Sequence, residues 1–338
     1  MRKIRIGIIG FGRLGSTHAK NIAESKYAEL YSVCDNDKRA LECAVADHKV
    51  KAHLNLAEFL AEPLDAVVVA SSTPLHLDHI RACAKAGKHI FTEKPIGLTL
   101  EETDEALREV VDAGVLFQIG FQRRWDRRFL KAKKLITDGV IGEPVLFKAY
   151  GRDPNASNPA NWGLDKNGGL FLNAAIHDYD AARFILDTEV TKISATGAAL
   201  VYPGLAKVDD IDTCSTSLFL GDHKMAMTEW SRYAVYGYDI GAEIIGTKGS
   251  IRIGGDQKTP VTLHLADKNT RTVFEEFADA YKAEIEAFIR SIVSGTPASP
   301  GVEDARIALN LALFARTSYQ KNGEAVSTPL MKPLVRDL

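Results

Sequence analysis

Cysteine is scarce in this chain: of 338 residues only Cys34, Cys43, Cys83 and Cys214 are of this type. No two are spaced C-x-x-C, so neither a structural zinc site nor a disulfide framework is expected. They read as small apolar side chains buried in a reducing compartment. An excess of one charge is also lacking. Forty-two basic residues face 44 acidic ones, a formal net charge of -2, which gives no electrostatic reason to expect nucleic acid or an anionic membrane as partner. No apolar run approaches the roughly 20 residues of a membrane span. The start Met1-Arg2-Lys3 imitates a signal peptide, but Arg5 and nearby glycines interrupt the apolar run and no small-residue cleavage site follows. A cytoplasmic location and a small neutral or mixed-charge ligand are the expectations. No internal repeat or low-complexity segment is present.

What the chain does have is length enough for two domains and a clear change of rhythm. From Lys3 to Phe121 short β-branched runs (Ile4 to Ile9, Leu30 to Cys34, Ala66 to Ala70, His89 to Phe91, Val115 to Ile119) alternate with segments of helical period (Arg13 to Ser25, Asp37 to His48, Leu75 to Ala86, Leu100 to Ala113). Continuously apolar runs are expected of parallel strands covered on both faces. After Gln122 come a helix, Phe129 to Asp138, an extended run, Pro144 to Gly151, and a second helix from about Leu170 to Leu186. Extended segments then follow near Thr191 to Val201, Asp212 to Leu220, Lys224 to Arg232, Tyr238 to Ile245 and Ser250 to Ile253, and two helices, Asp279 to Ser294 and Val302 to Gln320, close the chain. The expected fold is α/β: a doubly wound parallel Rossmann sheet over 1–122, and an α+β domain on a large, mostly antiparallel sheet over 123–338.

Gly7-Ile8-Ile9-Gly10-Phe11-Gly12-Arg13-Leu14-Gly15 contains G-x-G-x-x-G between a strand and a helix. Gly10 permits the tight turn, Gly12 the approach of a pyrophosphate, and Gly15 close packing of helix on strand. Gly10, Phe11, Gly12, Arg13 and Leu14 are thus candidate contacts to a dinucleotide, whose phosphates would meet the helix N-terminus. Asp35 ends the second strand, where a carboxylate accepts both adenosine ribose hydroxyls and repels a 2′-phosphate, selecting NAD over NADP. It also reads as a cap for the next helix, and Lys38 and Arg39 leave some NADP use open. Ligands of an open parallel sheet bind outside the carboxyl ends of its strands. Ser71, Ser72 and Thr73 follow one buried run, Glu93-Lys94-Pro95 another, and Gln122 the last, so all join the cofactor list. His76 lies just beyond, near enough to approach the cofactor, whereas His79 reads as a packing residue.

Lys94 would project toward a nicotinamide ring and serve as donor to the substrate oxygen. Lys94-Pro95 is a candidate cis peptide, because a tight bend is needed there. In the second domain Gly168-Gly169 opens a helix carrying Asn173 and His177, four apart and so on one face. Oxidising an alcohol requires removal of its hydroxyl proton, and His177 is the candidate base. Metal binding by His177 with Asp178 or Asp180 is the weaker alternative, because no second cluster supplies further ligands.

These residues resemble the Gfo/Idh/MocA oxidoreductase family: the glycine motif, the Glu93-Lys94-Pro95 tripeptide and the Gly-Gly helix bearing His177 carry the resemblance across nearly the whole chain. The inositol 2-dehydrogenase branch is the most similar, through Gly120-Phe121-Gln122-Arg123-Arg124-Trp125-Asp126, Arg152-Asp153-Pro154, Ile176-His177-Asp178-Tyr179-Asp180 and Tyr236-Gly237-Tyr238. The resemblance implies a metal-free Lys-Asp-His site acting with NAD on a ring hydroxyl of an inositol, with lysine on the reacting hydroxyl and histidine taking its proton. Lys94 and His177 match. The aspartate position falls on Asn173, which holds a hydroxyl but cannot stabilise an imidazolium by charge. Asp153 is the implied substrate contact; Arg124, Asn155 and Tyr236 are weaker candidates, with salt bridging, turn formation or core packing as their competing roles. A homotetramer through the open face of the second sheet is likewise implied. An NADP-dependent aldose dehydrogenase, an NAD-dependent glycosidase and a non-catalytic NAD-binding regulator remain the alternative readings.

Overall fold

The computed structural model describes residues 2–154, 162–221, 223–254 and 272–334. The chain forms two compact units. The first comprises Met1–Gln122, Asp279–Ile307 and a stretch from Lys332; the second comprises Arg123–Ala278 and Ala308–Met331. This corrects the expectation that 123–338 is one continuous domain. Helical periodicity says that a face is buried without saying against what.

The first unit alternates β1 (Ile4–Ile9), α1 (Arg13–Ala23), β2 (Ala28–Cys34), α2 (Lys38–His48), β3 (Lys51–His53), α3 (Leu56–Leu60), β4 (Ala66–Val69), α4 (His76–Lys85), β5 (His89–Thr92), α5 (Leu100–Asp112) and β6 (Phe117–Ile119). Its sheet runs β3-β2-β1-β4-β5-β6 with every pair parallel. The strand order reverses between β1 and β4, so the switch point lies at the glycine turn that follows β1. All four residues of β4 are fully buried, as strands sandwiched between helices require. The helix Ala278–Ser294 completes this unit, placing Ile285, Phe288 and Ile289 in one core cluster with Ile6, Ile8 and Phe91. The edge strand β3 and the short α3 had no counterpart in the sequence reading. Asn55 starts α3 by accepting the backbone N–H groups of Ala57 and Glu58.

The second unit contains α6 (Arg127–Thr137), β7 (Pro144–Arg152), α7 (Leu164–Asn167), α8 (Ile176–Leu186), β8 (Val190–Ala198), β9 (Thr213–Leu220), β10 (Lys224–Ser231), β11 (Asp239–Gly246), β12 (Ser250–Ile253) and β13 (Val326–Ser327). The sheet order is β12-β11-β7-β10-β9-β8-β13; only β7 and β10 pair in parallel. Along β10, Ala226, Thr228 and Trp230 are buried while Met225 and Met227 are exposed, the period of a sheet covered on one face. Of the four cysteines, Cys34, Cys83 and Cys214 are buried as expected, and Cys43 is exposed.

Candidate active site

In the first unit the glycine turn is built by contact. Gly10 has a φ of +90°, and a Cβ there would lie 2.6 Å from backbone atoms of Ser71; one on Gly15 would lie 2.0 Å from the Gly10 carbonyl oxygen. Both must be glycine for α1 to sit on its strand. Gly12 differs, because a Cβ there meets nothing within 4 Å. It caps α1 with no side-chain bond, and the first helical turn carries no acidic residue. An anion is favoured at such a terminus, so the residues present fit a dinucleotide pyrophosphate. The Phe11 side chain is buried in the core cluster, so its backbone is the part of it that lies in the turn.

Asp35 is tied into this turn. Its Oδ2 accepts the Phe11 N–H at 2.6 Å and its Oδ1 the Asp37 N–H at 2.8 Å. The cap of α2 is Asp37, which accepts from Arg39, not Asp35 as the capping alternative had it. A carboxylate oxygen accepts more than one bond, so capacity for ribose hydroxyls remains.

Ser71, Ser72 and Thr73 form the turn after β4, with Ser72 exposed. The Ser71 hydroxyl pairs with His79 Nδ1 at 2.9 Å, the packing role read for that histidine. His76 is buried, with Nδ1 at 2.8 Å from the Pro95 carbonyl and Nε2 at 2.9 Å from the Ser71 carbonyl. Its ring thereby links two strand ends. Burial pushes His76 below its ordinary value, against the opposite pull of those two carbonyls. Lys94 is half-buried at the end of β5, and Lys94-Pro95 is cis. Glu93, expected among the cofactor contacts, turns its carboxylate inward to His18 Nε2 at 2.7 Å. Gln122 is buried.

In the second unit the helix bearing the candidate base is irregular. Phe171–Ala175 forms a π turn that contains Asn173, and α8 begins at Ile176 with His177 in its first turn. Such turns are frequent at functional sites. Asn173 is half-buried and His177 buried. Asp178 accepts from the guanidinium of Arg123 and from the indole Nε1–H of Trp230, all three buried. Asp180 receives a two-bond fork from Arg124, at 2.9 and 2.6 Å. Both acids that a metal reading of His177 requires are therefore held by arginines, and Arg124 takes the salt-bridging role that competed with substrate contact. Asp153 is fixed by its backbone, donating to Ser231 and accepting from Ala234. Burial, then the Asp239 carboxylate, pushes the Tyr236 hydroxyl up, keeping it a neutral donor. Asn155 lies outside the described residues. The Arg123-Asp178-Trp230 anchor was missed from sequence, although charged residues on a helix buried almost all round were the available signal.

Residues 4–121 match the model of the oxidoreductase family with an NAD-binding Rossmann fold, and residues 129–252 match the GFO/IDH/MocA C-terminal domain. The chain belongs to the Gfo/Idh/MocA oxidoreductase family. Among relatives in this family, the myo-inositol 2-dehydrogenase of Thermotoga maritima is 37% identical over 94% of this chain and 97% of its own. The scyllo-inositol 2-dehydrogenase (NAD(+)) of Bacillus subtilis is 36% identical over 96% of each. A solved structure of scyllo-inositol dehydrogenase from Lactobacillus casei, with bound NAD(H) and scyllo-inositol, is similar at a TM-score of 0.85 and 32% identity, covering 96% of this chain and 99% of that one. As a Gfo/Idh/MocA protein the chain carries the glycine turn, the Glu93-Lys94-Pro95 strand end, Asn173 and His177 on which the resemblance was read.

Proposed function

We propose that the protein is an NAD-dependent inositol 2-dehydrogenase, oxidising a ring hydroxyl of myo- or scyllo-inositol to the 2-keto inosose. Gly10, Gly12 and Asp35 would hold NAD, which when bound would supply the hydride acceptor for the ring carbon. Lys94 donates a hydrogen bond to the reacting oxygen, and His177 takes its proton as the carbonyl forms. Asn173, Asp153 and Tyr236 hold neighbouring hydroxyls. The observation that carries this reading is the joint presence of Lys94 at the end of β5 and His177 at the start of α8, in a chain collinear with named inositol dehydrogenases. Asp35 weighs against an NADP-dependent aldose dehydrogenase.

The reading extends to a cytoplasmic homotetramer. No helix among the described residues is long and apolar enough to cross a membrane, and Phe219, Met225 and Met227 stand exposed on the outer face of the second sheet. Incubation with NAD and myo-inositol, scyllo-inositol, D-chiro-inositol or glucose, followed by NADH absorbance, tests the activity. Turnover with inositols is expected; turnover confined to glucose, or product release from an aryl glycoside without NADH, overturns the reading. Lys94→Ala is expected to abolish turnover while NAD binding remains measurable, and light scattering reads the assembly.

A further inference from the structure

Behind the strand end that carries Lys94, the first unit buries three ionisable side chains together. His18 from α1 and Glu284 from the helix Ala278–Ser294 are fully buried, and Glu93 is 4% exposed. One nitrogen or oxygen from each lies within 4.8 Å of the others. His18 Nε2 and Glu93 Oε1 are hydrogen-bonded at 2.7 Å. Neither carboxylate oxygen of Glu284 has a donor among the described residues, and His18 Nδ1 is likewise without a partner. Phe91 and Tyr281 close edge-on around the His18 ring. A Cβ on Gly120 would lie 3.1 Å from Glu93 Oε1, so that glycine leaves room for the carboxylate.

An ionised Glu284 would be a buried, undonated carboxylate beside a second one, an arrangement that desolvation strongly disfavours. Two remedies exist, a metal ion or a proton. Ligand atoms on one tetrahedral ion with bonds of about 2.0 to 2.1 Å stand roughly 3.3 Å apart. The 2.7 Å between His18 and Glu93 is a hydrogen bond and too short for shared ligation.

We infer that Glu284 keeps its proton in the folded protein and gives its O–H to Glu93, directly or across one water, closing a buried His18-Glu93-Glu284 chain that positions the strand end bearing Lys94. The groups facing the cluster are His18 from α1, Glu93 from the end of β5, Tyr281 on the same helix as Glu284, neutral Gln118 from β6, whose amide donates to the Glu284 backbone carbonyl at 2.9 Å, and His76 from α4, which feels the charge of Glu93. Burial first, and Glu93 second, push the Glu284 carboxyl well up. Glu284 is a positioning residue in this scheme. Its effect on turnover rests on the dehydrogenase reading, whereas the proton itself does not.

The test compares the full-length wild type with Glu284→Gln and Glu284→Met. A carboxyl protonated when folded and released on unfolding makes stability fall as pH rises above 4.5, by up to about tenfold in the unfolding equilibrium per pH unit. Denaturation from about pH 5 to about pH 9 is expected to show this extra loss in the wild type and its removal in Glu284→Gln. Parallel pH curves for the two overturn the proposal, as does a stoichiometric bound metal in the purified protein. Glu284→Gln is expected to keep wild-type kcat, and Glu284→Met to lower kcat by between about ten- and a hundredfold with the KM values little changed. Equal kcat in all three, or an equal loss in both variants, overturns the positioning role. A wild type inactive on every inositol removes the dehydrogenase reading while the pH curves still decide the proton.

Discussion

Phe11 gives its backbone N–H to the Asp35 carboxylate at 2.6 Å, so the residue that would hold the ribose also braces the glycine turn. Asp35→Ala therefore removes a ribose acceptor and a brace together. NAD affinity is expected to weaken by about 1.5 to 3 kcal/mol, the range for hydrogen bonds to a charged group. Calorimetric titration with NAD checks this, and unchanged affinity removes Asp35 from the ribose site.

Two of the motif glycines separate folding from binding. Gly15→Ala places a methyl 2.0 Å from a backbone oxygen that cannot swing aside, and a loss of about 1 to 3 kcal/mol of stability is expected. Gly12→Ala meets nothing and should leave stability within about 0.5 kcal/mol while impairing NAD binding. Urea denaturation and NAD titration of the two variants distinguish the roles; a destabilised Gly12→Ala contradicts the assignment.

Burial is the first cause that lowers His76, His79 and His89 below 6.5. A histidine held neutral in the fold resists a proton that the unfolded chain accepts. Its stabilisation is complete above pH 6.5 and is lost as pH falls toward the lowered folded value, up to about 1.4 kcal/mol per pH unit for the fully buried His76. The sign is opposite to that of Glu284. Thermal stability should thus fall on acidification below pH 6.5, and His76→Gln, whose amide still donates to one carbonyl, should flatten that slope. An unchanged slope in the variant assigns the acid sensitivity elsewhere.

Much of the first unit was legible because parallel strands buried on both faces leave contiguous apolar runs: β1 was read to the residue, and Ala66–Val69 within one position. The edge strand β3 was not, since Lys51 and Ala52 are exposed and three residues at a sheet edge need no apolar signature. The helix 278–294 was legible as a helix, but its membership of the first unit was not, because only tertiary packing supplies its partner. Glu284 shares the buried stripe of Tyr281, Ile285 and Phe288, so an acid in an apolar face was the overlooked signal. At the site, motif spacing located the glycine turn and Lys94, but it could not tell a side chain aimed at a ligand from one aimed inward. The Glu93 carboxylate, which meets His18, is an instance.

Asp178 is held by Arg123 and Trp230, and all three side chains are buried. Asp178→Asn leaves the buried guanidinium of Arg123 without its counter-charge, and a cost of about 3 to 5 kcal/mol is expected. Equilibrium denaturation reads the loss. A change below 1 kcal/mol, the range of an exposed pair, means that the guanidinium finds another acceptor and that this anchor does not fix the start of α8.

Asn173 stands one π turn before His177, at the position where the family resemblance places an aspartate. An amide can hold a substrate hydroxyl, but it adds no charge to steady the imidazolium that forms as His177 takes the proton. Unit charges about 4 Å apart attract by roughly 4 kcal/mol at an effective dielectric near 20, and desolvation of the new carboxylate offsets a large part of that. Asn173→Asp is therefore expected to raise kcat on the preferred inositol by about tenfold, with the KM for NAD unaltered because the first unit holds the cofactor. Steady-state kinetics on the inositol panel checks both quantities. A variant that folds and binds NAD but turns over more slowly shows that the amide is matched to its substrate, and that the departure at this position sets which ring isomer the enzyme accepts.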